Sequence, residues 1–66
     1  MRVLLRDTRT GLYFREPAEW TAESEKAQIF KHSAEAMNLA REHRINDAEV
    51  ILEFEESRYT VALPLP

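Results

Sequence analysis

The chain has no cysteine and only one glycine. Without cysteine, neither a disulfide framework nor a thiolate metal site is available to staple the fold, and the composition suits a reducing, cytoplasmic setting. A lone glycine, Gly11, excludes a glycine-rich phosphate loop. No apolar run approaches the roughly 18 residues of a membrane span, and the first residues lack the long apolar stretch of a signal peptide. The expectation is therefore a cytoplasmic protein with no membrane association. Basic residues are also few, nine against twelve acidic ones for a net charge of −3, so the footprint of a general nucleic-acid binder is missing.

What is present is brief. Sixty-six residues make one domain, spanning 1–66. A chain of this size buries only about 60% of its unfolded surface and is expected to be marginally stable, which self-association would help. Its charge is unevenly spread. Residues 1–15 carry Arg2, Arg6, Arg9 and Arg15 against Asp7, a balance of +3. Residues 46–66 carry five acidic side chains against Arg58, a balance of −4. Complementary charge on neighbouring strands accounts for such a split without a ligand.

The stretch Ser33–Arg44, SAEAMNLAREHR, has the period of one amphipathic helix. Ala36, Met37, Leu39, Ala40 and His43 fall on one face, and Glu35, Asn38 and Glu42 on the other. Ser33 is the expected N-cap, and Asn46 the expected left-handed residue beyond the helix end. Residues 22–44 could form one helix or two. The polar Lys31-His32-Ser33 run favours a break near Ile29–His32, with Thr21 capping a separate short turn through Ala22–Ala27.

The remainder alternates as strands. Arg2–Asp7 places Val3 and Leu5 on one face and Arg2, Leu4 and Arg6 on the other. Asp7-Thr8-Arg9-Thr10-Gly11 is a turn, and Leu12–Arg15 returns with Leu12 and Phe14 opposite Tyr13 and Arg15. Glu49–Glu55 is expected to turn Val50, Leu52 and Phe54 inward, and Glu49, Ile51, Glu53 and Glu55 outward. A turn at Glu56-Ser57 leads to Arg58–Leu63, with Tyr59, Val61 and Leu63 inward and Pro64 and Pro66 blunting the edge. The fold class expected is α+β, a two-layer ββαββ arrangement with one main helix on a four-stranded antiparallel sheet. The strand order is 2-1-3-4, which sets Arg2 and Arg6 beside the glutamates of the third strand.

No catalytic, cofactor-binding or metal-binding constellation emerges. His32 and His43 form no H-E-x-x-H pattern, and Ser24, Ser33 and Ser57 stand in no nucleophile motif. Glu53, Glu55 and Glu56 on a strand and its turn are expected to be solvated or paired with arginine. The outward face of the sheet, with Arg2, Leu4, Arg6, Tyr13, Arg15 and Ile51, is the candidate interaction surface, Ala62 adding to its apolar strip. Its apolar members suit an unknown protein partner or a weak homodimer. Tyr13 among arginines gives the alternative, a nucleic-acid-binding regulator using the basic first hairpin. The expected function is thus a small non-enzymatic protein-interaction or accessory module.

The TGLYF hairpin (Thr10–Phe14), Trp20-Thr21, Ala27-x-x-Phe30 and Ser33 with Glu35-Ala36 run in order along the chain. They are followed by the EVILEF strand (Glu49–Phe54), and by Arg58-Tyr59 leading to Leu63-Pro64-Leu65. In this order the chain resembles a set of small bacterial proteins with no assigned function. The resemblance implies a folded stand-alone domain and carries no activity, cofactor or binding residue with it.

Overall fold

Arg2–Asp7 forms the first strand, β1, and successive side chains along it meet opposite layers. In the computed structural model, which describes residues 1–16, 18–54 and 59–65, the turn after β1 is built as its residues dictate. Asp7 accepts the N–H of Arg9 at 2.7 Å and of Thr10 at 3.1 Å. Gly11, at φ 76°, donates its own N–H to the Asp7 carbonyl. The chain returns as β2, Tyr13–Arg15. A third strand that the alternation did not announce, β3 at Glu19–Thr21, pairs antiparallel with β2. Thr21 belongs to this strand, and its Oγ1 accepts the N–H of Glu23. The helical turn expected through Ala22–Ala27 shrinks to a single 3-10 turn at Ser24–Lys26.

The expected break before the main helix is present. The helix α1 spans Ser33–Glu42 and buries Ala36 and Ala40. Its N-cap is His32, not Ser33, and no side chain caps it. Its far end closes on Arg44, not Asn46, as the left-handed residue, at φ 56°. Ile45 N–H donates to the Ala40 carbonyl at 2.8 Å, and Arg44 N–H to Arg41 at 3.2 Å. This is the Schellman arrangement, and it turns the chain back toward the sheet. His43, expected on the buried face, is exposed, with its ring packed edge-on to Phe14, centroids 5.7 Å apart.

Ala48–Phe54 forms β4 and Tyr59–Pro64 forms β5. The sheet has five antiparallel strands in the order β3-β2-β1-β4-β5. This corrects the four-strand expectation. The central sequence of neighbours holds, with Arg2 opposite Glu53 and Arg6 opposite Glu49, and β3 is added at one edge. The expected places of Glu55, the Glu56-Ser57 turn, Arg58 and Pro66 lie outside the described residues.

One layer of the core lies under α1. Val3, Leu5, Phe14, Phe30, Ala36, Ala40, Ala48 and Val50 pack together, with Leu52, Leu63 and Leu65 at its margin. Phe54, expected inside, is 37% exposed. It shares a face with Val50 and Leu52 but sits at the end of β4, past the reach of a ten-residue helix about 15 Å long.

The other face is not open. β2 pairs with β1 at Arg6 and Tyr13 and then turns to β3 alone. Residues 28–30 fill the gap so left: Gln28 N–H donates to the Phe14 carbonyl at 3.0 Å and Phe30 N–H to the Val3 carbonyl at 2.8 Å. Ala27, one residue earlier, packs on Leu4 and Ile51, whereas Phe30 belongs to the core beneath α1. The chain therefore passes from one face of the sheet to the other through the split between β1 and β2. No helix among the described residues is long and apolar enough to cross a membrane.

Candidate interaction surface

Leu4 and Ile51 are cross-strand partners on β1 and β4, as alternation requires. They are nonetheless 0% and 1% exposed, because Ala27 closes over them with Tyr13 at the side. Their expected place on an exposed strip is corrected on that ground: an alternating strand declares two faces without saying whether the second is covered. Burying a side chain of this size stabilises the fold by about 1.5–3 kcal/mol, more than a surface position would contribute.

The arginines of the expected face point into the same layer. Arg2 Nε donates to Glu53 Oε1 at 2.7 Å, and its guanidinium also reaches the Ser24 carbonyl at 3.4 Å and Ser24 Oγ at 3.5 Å. It thereby ties the covering segment to the sheet. Arg6 Nε donates to Glu49 Oε1 at 3.0 Å, with a second short contact from its terminal nitrogen. The bond to Glu49 raises the Arg6 pKa above its ordinary value, opposed by desolvation and helped by Tyr13. Arg2, Leu4, Arg6, Tyr13 and Ile51 are thus brought together, but as a closed intramolecular layer. Arg15 stands apart and exposed, opposite Glu19 in register.

Elsewhere among the described residues, Asp7, Arg9, Arg44 and Asp47 line a depression of about 370 Å³, in which Arg9 pairs with Asp47 at 3.5 Å. His32 and His43 stand at opposite ends of α1. No group of three or more metal-ligating side chains occurs among the described residues. A depression of about 330 Å³ beside α1 is lined by His32, Glu35, Glu42 and Gln28, and the Oε1 of Gln28 is buried without a hydrogen-bond partner. Another, of about 180 Å³, lies between Met37, Ile45 and Leu65 at the helix end. Both are shallow surface features with one or two charged groups each.

Among the described residues, an uncovered apolar surface lies at the β5 edge, with Ile29 exposed separately between β1 and β2. β5 ends the strand order, so no described strand pairs with its outer side. Tyr59, Thr60, Ala62 and Pro64 are exposed, Val61 and Leu63 half-buried. Tyr59 is 61% exposed and lies beside Phe54, ring centroids 6.4 Å apart. No residue of β5 is charged. Prolines were expected to blunt this edge, yet Pro64 is the last residue of the strand and leaves the five before it able to pair. The opposite edge, β3, is three residues long and begins with Glu19. The signal for β5 was in the sequence as an uncharged run, Tyr59–Leu65, but edge position is a property of the sheet order.

Comparison with protein-family models, with curated proteins and with solved structures found no match. The functional reading rests on this chain's own residues.

Proposed function

We propose that the protein is a small non-enzymatic interaction module that engages another polypeptide along the outer edge of β5. The observation that carries this reading is a six-residue edge strand without charge that begins at the exposed ring of Tyr59, with the ring of Phe54 beside it on β4. Solvent-facing edges are ordinarily protected by lysines, bulges or brevity, because unpaired N–H and C=O groups template a further strand. β5 has none of these protections before Pro64. An extended peptide added there gains main-chain hydrogen bonds for affinity, and Tyr59 and Phe54 offer apolar contact for selectivity.

A nucleic-acid role would draw on the basic first hairpin. Arg2 and Arg6, half of its four arginines, are engaged by Glu53 and Glu49, which leaves little free charge for phosphate contacts. The protein-interaction reading is therefore preferred.

A photo-crosslinking residue placed at Ala62, and separately at Asn38 on the exposed side of α1, tests the reading in cells. A discrete adduct from position 62 and none from position 38 is expected. Identical patterns from both positions would remove β5 as the recognition edge.

A further inference from the structure

Resting on that reading of β5, we infer that its partner is a second copy of this chain, paired antiparallel β5 to β5 about a two-fold axis to form one continuous ten-stranded sheet. Two features of the edge favour a copy of itself. Tyr59-Thr60-Val61-Ala62-Leu63-Pro64 contains no charge, so antiparallel self-pairing brings no like charges together. A two-fold contact consumes both long edges and leaves only the three-residue β3 edges outside, which closes the assembly. Pairing β5 with β3 instead would match six residues to three and leave a long edge exposed.

The register follows from strand geometry. Residues directly opposite in an antiparallel pair have the same hydrogen-bonding orientation, so a two-fold axis in the middle of β5 falls at Val61 or Ala62. In the first case Tyr59 stands opposite Leu63 of the second copy, in the second opposite Leu65. Leu63 and Leu65 are both half-buried at the margin of the core beneath α1, and Tyr59 shares their side of the sheet. The exposed ring then extends the apolar layer of the second copy. Thr60 and Ala62 lie on the opposite side, where position 62 faces its own counterpart directly or on the diagonal, a Cβ separation of about 5–8 Å. A six-residue edge is small beside the roughly 1,200–2,000 Å² of a standard interface, so the dimer is expected to be weak and concentration-dependent.

Sedimentation equilibrium of the whole chain, from about 10 μM to 1 mM, tests this. The average mass of the parent is expected to rise toward twice the monomer mass. Ala62→Lys and Ala62→Glu, at an exposed position, are each expected to weaken association at least tenfold with an unchanged circular dichroism spectrum. Their equimolar mixture is expected to recover association, because lysine then faces glutamate. If either variant fails to fold, Thr60→Lys and Thr60→Glu make the same pair of charges on the same side. A parent that stays monomeric at 1 mM, charge variants that associate as the parent does, or a mixture that does not recover would overturn the inference. A monomeric parent whose position-62 crosslinker still captures a different protein overturns self-pairing alone. Absence of both dimer and adduct overturns the interaction reading as well.

Discussion

The backbone N–H of Phe30 donates to the carbonyl of Val3 at 2.8 Å, and this bond marks where the chain crosses its own sheet. Before it, Ala27 covers Leu4 and Ile51. After it, Phe30 and α1 cover Val3, Leu5 and Val50. A chain of 66 residues thereby buries both faces of its central strands with one helix and one short crossing segment.

The doubly covered sheet predicts the cost of emptying either side. Leu4→Ala and Ile51→Ala should each destabilise by about 2–5 kcal/mol, as core truncations do, and Phe14→Ala by about 3–5. Phe54→Ala, at a partly exposed site, should cost about 1 kcal/mol or less. Urea denaturation of the four variants checks the ranking. A Leu4→Ala variant as stable as the parent would mean that Ala27 does not close that face.

Gly11 has φ 76°, and a Cβ added there meets nothing within 4 Å. The cost of substitution is thus conformational, not steric. Gly11→Val should lose about 1–3 kcal/mol, while Gly11→Asn, which tolerates the left-handed region, should lose less. Thermal melts of both variants test the order; equal losses would point to a contact in place of backbone strain.

Arg44 occupies the corresponding conformation at the end of α1 without being glycine. Arg44→Gly should stabilise the protein by about 0.5–1 kcal/mol, because glycine relieves the left-handed strain by more than its added unfolded-state freedom costs. A drop in melting temperature would show that the arginine side chain contributes something the backbone geometry does not.

Asp7 accepts two backbone N–H groups, from Arg9 and then Thr10 in order of effect, and these hold its carboxyl below the ordinary carboxylate range. A native pKa below the unfolded one adds stability that is complete above the unfolded value, about 3.9, and is lost as pH falls through the lower native value. Asp7→Asn keeps an acceptor but cannot titrate. Its denaturation midpoint should therefore fall less than the parent's between pH 5 and pH 2, taking about these limits as the carboxylate window. Parallel acid profiles would exclude Asp7 as a contributor.

Most of the local structure and the α+β class follow from the residues themselves. The 3.6-residue period of Ser33–Glu42, the Asp7–Gly11 turn and the alternation in Arg2–Asp7 and Ala48–Phe54 are written in side-chain type and spacing, which act over a few residues. Opposed charge likewise set Arg2 and Arg6 beside the glutamates of β4, and the register of the folded sheet then matched Arg2 to Glu53 and Arg6 to Glu49. What covers each face depends on contacts between distant segments. Glu19–Thr21 is a strand because β2 is there to pair with it, since three residues carry no period of their own. Leu4 and Ile51 are buried because Ala27, 23 residues along the chain from Leu4, folds over them. Phe54 has the inward parity of Val50 yet stands at the sheet's end, where α1 does not reach. Alternation fixes the side of the sheet a residue occupies; burial depends on segments distant in sequence arriving there, and no local spacing encodes that arrival.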